Sequence, residues 1–143
     1  MCIISLEYKV PGDDFTRAGE ASSEVKKRLK MLGYDMDAIR RATISMYEGE
    51  INMAIHANGG TAYVEILPDR VNIKLEDFGP GIEDVEKAMQ EGYSTATEKV
   101  RELGFGAGMG LPNIKKYADD MRIETEVGKG TTVYITVNVK SRA

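Results

Sequence analysis

A single cysteine, Cys2, and a single histidine, His56, deny this 143-residue chain both an internal disulfide and a conventional zinc site. Tryptophan is missing, and no apolar run approaches the roughly 20 residues that a membrane-spanning helix requires. The opening Met1-Cys2-Ile3-Ile4-Ser5 passes at once into alternating charged residues, so no signal peptide and no membrane association are expected. Neither sign of charge dominates. A net charge of -4 argues against nucleic acid or an anionic membrane as the principal partner. Repeats, low-complexity tracts and interdomain linkers are missing too, and the lone cysteine suits an intracellular, cytoplasmic chain.

What is present is the balance of one folded domain spanning 1–143, with 42% hydrophobic and 29% charged residues. Residues 2–9 alternate as a half-buried strand, with Ile4, Leu6 and Tyr8 facing one way. Asp13 or Asp14 is expected to cap a helix that runs to about Leu32, with Gly33 as its stop. Phe15, Ala18, Ala21, Ser22, Val25, Leu29 and Leu32 form its buried stripe. A second helix starts at Asp35 or Asp37 and reaches about Ala57, before Asn58-Gly59-Gly60. Strands follow over 61–67 and 70–77, joined through Pro68-Asp69. A short helix is expected over 83–90, a mobile segment over 91–107, a helix over 111–119, and strands over 121–127 and 130–139. Helices lying between blocks of strands predict a two-layer α/β (α+β) sandwich: a mixed, mostly antiparallel sheet covered on one face by helices.

Glycines alternate through Gly104-Phe-Gly106-Ala-Gly108-Met-Gly110 and lead into Leu111-Pro112-Asn113-Ile114, the start of an amphipathic helix. Without side chains, backbone N–H groups can approach a bulky anion closely. The helix behind them adds unsatisfied N–H groups and the positive end of a dipole, while Pro112 suits the first turn. Together these describe a cradle for phosphate oxygens.

Glu48, Asn52 and His56 recur every four residues on the second helix. Each step turns the side chain by only about 40°, so the three share one ridge. Ile39, Ala42, Met46 and Met53 make a separate buried stripe, and Gly49 points to the close approach of another backbone. A carboxylate and an amide oxygen one turn apart suit a hard cation such as Mg²⁺ and a general base. Asp77 ends a strand in which Val71, Ile73 and Leu75 alternate inward, and it enters the turn Asp77-Phe78-Gly79-Pro80-Gly81-Ile82. Such a carboxylate can accept a hydrogen bond from an exocyclic amine, and Gly79 and Gly81 would let a base lie against the backbone. The plainer alternatives are a solvated helix face and a strand-end Asx turn. Asp77-Phe78-Gly79 also spells the metal-binding tripeptide of eukaryotic-type protein kinases, but the catalytic-loop signature is missing and the chain is too short for that fold. A Rossmann fingerprint is excluded because the glycine run lies late and links no first strand to its helix.

The order of these pieces resembles the Bergerat ATP-binding fold shared by gyrase-type topoisomerases, Hsp90, histidine kinases and MutL (the GHKL group). Glu48 and Asn52, then Asp77, Gly79 and Gly81, then the run Gly104 to Gly110, then Gly128-Lys129-Gly130-Thr131-Thr132 follow in sequence. Within the group the chain looks most like the anti-sigma-factor serine/threonine kinases of the RsbT and RsbW type. The segment Asp14 to Ala21 and Gly108-Met109-Gly110-Leu111-Pro112 are nearer the RsbT branch.

The resemblance implies binding of ATP and Mg²⁺. Glu48 would be the general base, and Asn52 would hold the magnesium against the triphosphate. Asp77 would take the adenine amine, Gly81 and Ile82 would lie beside the base with Gly79, and Thr132 would act through a water near the ring. Gly106, Gly108, Met109, Gly110 and Leu111 would serve the phosphates, while Lys129 reads as a solvated turn residue. It further implies a partner: a small antagonist-type (STAS-like) protein or a sigma-factor-like regulator. The first strand, as a sheet edge, would offer a second copy a place to pair in a homodimer. One departure stands out. Members of the RsbW branch that phosphorylate efficiently can carry an arginine just before the Gly-x-Gly of the run, whereas this chain has Phe105-Gly106-Ala107, with Lys99 and Arg101 upstream. A protein kinase, a non-catalytic nucleotide-sensing module and a slow ATPase subunit of a larger complex all remain open from the sequence.

Overall fold

The computed structural model describes residues 4–12, 17, 19–90 and 110–140. Five strands form one sheet: β1 (Ile4–Pro11), β2 (Gly59–Ile66), β3 (Arg70–Asp77), β4 (Asp120–Glu126) and β5 (Gly130–Asn138). Their order across the sheet is β1-β2-β3-β5-β4, and every pairing among them is antiparallel. Helices α1 (Glu20–Met31), α2 (Met36–His56), α3 (Val85–Ala88) and α4 (Gly110–Tyr117) complete the described elements. The two-layer sandwich expected from the sequence is thus present, at the antiparallel extreme of the anticipated sheet.

Alternation decides which face of the sheet is covered. Val64 and Ile66, Val71, Ile73 and Leu75, and Val133, Ile135 and Val137 point to the helices and are buried. Against them lie Val25 and Leu29 of α1, then Ile39, Ala42, Met46 and Met53 of α2, and Ile114 of α4. The opposite face carries no helix among the described residues and presents a row of alternating rings and cations. There Lys74 sits 5.2 Å over Tyr63, and Arg122 4.2 Å over Tyr134.

The ends of the two long helices are set differently. Asp35 caps α2 as expected, its Oδ2 accepting the Ala38 N–H at 2.9 Å. Helix α1 begins later than the sequence reading, at Glu20, behind Gly19 in the left-handed region with φ 99°. Asp13 and Asp14 lie outside the described residues, as do Phe15 and Ala18. The partner of the first α1 amides comes instead from α2. The Glu50 carboxylate, 1% exposed, accepts N–H groups from Gly19 (2.9 Å), Ala21 (3.3 Å) and Ser22 (2.7 Å). A negative group at a helix N-terminus meets both the orphan donors and the dipole there.

Candidate functional site

Gly49 allows α2 to press onto the sheet: a Cβ there would overlap the Leu75 side chain, with Ile114 of α4 3.8 Å away. The close neighbour is therefore a side chain rather than the backbone that the sequence suggested. Gly49 thus settles α2 on β3 and α4.

Along the polar ridge of α2, Glu48 and Asn52 meet α4, and His56 meets the end of β3. Glu48 is half-buried, and burial pushes its carboxyl above the ordinary range, with a hydrogen bond from the Asn113 side chain of α4 pulling it partly back. Asn52 faces the first residue of α4, where a Cβ on Gly110 would stand 2.7 Å from both Oδ1 and Nδ2 of the amide. His56 lies near Asp77. Burial lowers the imidazole pKa, and the Asp77 charge opposes that shift.

Asp77 shares a cross-strand row with two threonines, since Asp77 pairs with Thr131 and Thr131 with Thr125. Its Oδ1 accepts backbone N–H groups from Gly79 at 3.0 Å and Thr131 at 3.1 Å. The first of these is the Asx turn that the sequence allowed; the second is a long-range anchor across the sheet. Among the described residues no donor reaches Oδ2. Desolvation raises the Asp77 carboxyl above its ordinary value, and the two backbone N–H groups and His56 act against it. One oxygen is thus pinned and its neighbour, half-buried, stays ready to accept.

The threonines extend this anchor. The Thr131 and Thr125 hydroxyls lie 2.8 Å apart, and Thr125 Oγ1 donates to the Gly130 carbonyl at 3.2 Å. With that proton committed, Thr131 is the donor to Thr125, whose oxygen also accepts the Ile82 N–H at 2.9 Å. Ile82 is therefore tied to the sheet through its backbone. Gly81 adopts φ +80°, and a Cβ on it would meet the Glu126 carbonyl at 2.5 Å. Gly79 is pressed against Ala57 in the same way. Both glycines thus have a packing reason within the fold.

One residue of the sequence reading stands apart from the others. Thr132 stands on the uncovered face of the sheet with Tyr134 and Thr136, opposite Glu76 and Glu124 in the ladders. The threonine that joins Asp77 is Thr131, which is 8% exposed and alternates in step with Val133, Ile135 and Val137. That parity is visible in the sequence and is the signal that identifies it. Lys129 is a solvated turn residue, 75% exposed and 3.5 Å from Glu126. Leu111 packs against the core at the start of α4. Gly106, Gly108 and Met109, with Lys99 and Arg101, lie outside the described residues.

A cation would find few protein ligands here. Among the described residues no cluster of three His, Cys, Asp or Glu side chains is placed to hold a metal. A hexacoordinate Mg²⁺ that keeps its waters and takes phosphate oxygens needs only one or two protein oxygens. The Asn52 amide oxygen, beside the first residue of α4, could supply one of them.

Residues 14–141 match the family described as histidine kinase-, DNA gyrase B-, and HSP90-like ATPase. The chain is 36% identical over 100 residues to an anti-sigma F factor of Caldanaerobacter subterraneus subsp. tengcongensis, covering 70% of this chain and 62% of that protein. It is 32% identical over 108 residues to the serine/threonine-protein kinase RsbT of Bacillus subtilis, covering 73% of this chain and 75% of that one. The match thus spans just under two thirds of the first relative's length. Among solved structures, the RsbU and RsbW domains of a Mycobacterium tuberculosis protein align with a TM-score of 0.65 at 15% identity, over 98% of this chain and 34% of that one. The mycobacterial sensor histidine kinase MprB aligns at 0.52 and 18% identity, over 95% and 98%. These two likenesses are of fold. No described helix is long and apolar enough to cross a membrane.

Proposed function

Because the chain belongs to the histidine kinase-, DNA gyrase B-, and HSP90-like ATPase family, we propose that it is an ATP-binding serine/threonine protein kinase of a bacterial partner-switching pathway. It would transfer the γ-phosphate of ATP to a serine or threonine of a small antagonist-type, STAS-like protein, or act on a sigma-factor-like regulator, in the cytoplasm. The observation that carries this reading is the division of labour at Asp77. Its Oδ1 is fixed by two backbone N–H groups, and desolvation raises the carboxyl; Oδ2 would then accept the adenine amine.

Each remaining residue then has a physical task. Asn52 would hold Mg²⁺ through its amide oxygen, and the metal, when bound, neutralises charge on the phosphates. The first N–H groups of α4, at Gly110 and Leu111, lie at the positive end of that helix and beside Asn52, which suits phosphate oxygens. Glu48 would take the proton of the attacking hydroxyl. A carboxyl raised by burial is better matched to a working pH near neutrality than an exposed one. Thr131 would fix Asp77 and offer the hydroxyl side of the pocket that the sequence reading gave to Thr132.

Incubation with γ-labelled ATP, Mg²⁺ and a candidate antagonist protein tests the proposal. Label should appear on the partner with the wild type. With Glu48→Gln, transfer should fall by about 10²–10⁴-fold while ATP still binds. Equal labelling by both proteins would remove Glu48 from the role of base.

The absence of a basic residue in Phe105-Gly106-Ala107 favours a second reading, a nucleotide-sensing module that associates with its partner without catalysis. ATP-dependent association with no labelled partner and no released phosphate would select it. Phosphate release that depends on Glu48, without a labelled protein, would instead select a slow ATPase subunit.

A further inference from the structure

Helices α2 and α4 run antiparallel, and their contacts are spread along both. Asn52 meets Gly110 and Gly49 meets Ile114, while at the far end Arg41 meets the last turn of α4. The Arg41 side chain, 15% exposed, gathers four acceptors. Nε donates to Asp37 Oδ2 at 2.9 Å, and Nη1 to Asp119 Oδ2 at 2.6 Å and to the Tyr117 carbonyl at 3.3 Å. Nη2 donates to the Asn138 carbonyl at 3.1 Å. Asp119 is itself fixed, because its Oδ2 accepts the Asn138 N–H at 2.6 Å, and the Asp119 N–H bonds to the Thr136 carbonyl at 2.8 Å. One planar fork therefore ties the C-terminal end of α4 to α2 and to the end of β5.

We propose that Arg41 is a positioning residue for the phosphate end of the site: it anchors the far end of α4 so that Gly110 and Leu111 stay in register with Asn52. Arg41 and Asn52 are eleven residues apart on α2, about 16 Å along the axis, so the guanidinium itself touches no nucleotide. It acts through a short rigid helix. Of the eight residues of α4 only Ile114 is fully buried, with Leu111 packed partly buried beside the core, so the polar contacts at its far end add to its seating. A guanidinium on the Tyr117 carbonyl also meets the negative end of the helix dipole. Lysine, with a point charge in place of a fork, cannot keep Asp119, the Tyr117 carbonyl and the Asn138 carbonyl in one plane.

This inference rests on the nucleotide reading above, and the experiment separates the two. Purified wild type and Arg41→Lys are titrated with Mg-ATP by calorimetry and with adenosine by following amide NMR shifts. A small misplacement of the phosphate-binding end should weaken Mg-ATP about tenfold and leave adenosine within about twofold. Asp119→Asn, which keeps the shape of its partner and endangers folding less, should show the same split to a smaller degree. Equal weakening of both ligands marks a general structural role and overturns the proposal, as does an unchanged affinity for Mg-ATP. A wild type that binds neither ligand overturns the nucleotide reading itself.

Discussion

Gly110 and Asn52 stand so close that no side chain fits between them: a Cβ on residue 110 would lie 2.7 Å from both polar atoms of the Asn52 amide. Glycine at the first position of α4 is therefore a condition for the helix N-terminus to reach the ridge of α2. Gly110→Ala adds a methyl group there and favours helix by up to about 1 kcal/mol. The variant should keep its melting temperature to within a few degrees while its affinity for Mg-ATP falls about tenfold or more. Calorimetry beside a thermal melt reads both. An affinity equal to wild type would show that Asn52 can turn aside without consequence.

Asp77→Asn should separate binding from stability. Asparagine keeps an oxygen for the Gly79 and Thr131 N–H groups but presents an N–H₂ where the amine acceptor stood. Nucleotide affinity should fall about ten- to a hundredfold. Burial raises the Asp77 carboxyl, so the folded protein holds this proton more tightly than the unfolded chain does. Ionising Asp77 therefore costs stability as pH rises from the ordinary carboxylate value through the raised one. At pH 7 the ligand-free variant should melt no lower than wild type, and any advantage should shrink as pH falls through that window. A variant clearly less stable at pH 7 would contradict the desolvation account.

His56 carries the opposite sign. Its folded pKa is lowered by burial below 6.5, so the unfolded chain takes up the proton first on acidification. The stability tied to the neutral imidazole is present in full above 6.5 and is lost as pH falls toward the lowered value. The difference in melting temperature between wild type and His56→Gln should consequently narrow between pH 7.5 and about pH 5. A difference that stays constant over that range would place no titration at His56.

The two adjacent threonines distinguish the faces of the sheet. Thr131→Val removes the donor to Thr125 beside Asp77 and should cost about 1 kcal/mol of stability together with a measurable part of the ATP affinity. Thr132→Val keeps a β-branched residue on the uncovered face and should change both by little. Melting curves and calorimetry on the pair decide it. The reverse pattern would return the role to Thr132.

Much of this site can be read along the chain. The four-residue spacing of Glu48, Asn52 and His56 makes a ridge in any α-helix, and the structure retains it. The alternation of Val71, Ile73 and Leu75 sets the face on which Asp77 falls, because side chains on a strand change sides at each residue. The same rule, applied to Val133, Ile135 and Val137, selects Thr131 over Thr132, so that difference lay in the sequence too. The partner of Glu50 was not legible. It sits 28 to 31 residues from the amides that it receives, and no local period announces a cap from another helix.

Helix and strand periods, and hence the ridge, the carboxylate at the strand end and the order of the glycine turns, were determined by the sequence alone, since each depends on neighbours a few residues apart. Tertiary structure decided which of these pieces touch. Strand register brought Asp77 to Thr131, the seating of α2 turned Gly49 toward Leu75, and the antiparallel docking of α4 set Gly110 on Asn52 and Tyr117 on Arg41. Such pairings depend on how whole elements pack, because a contact between distant residues forms only when every intervening element has found its place.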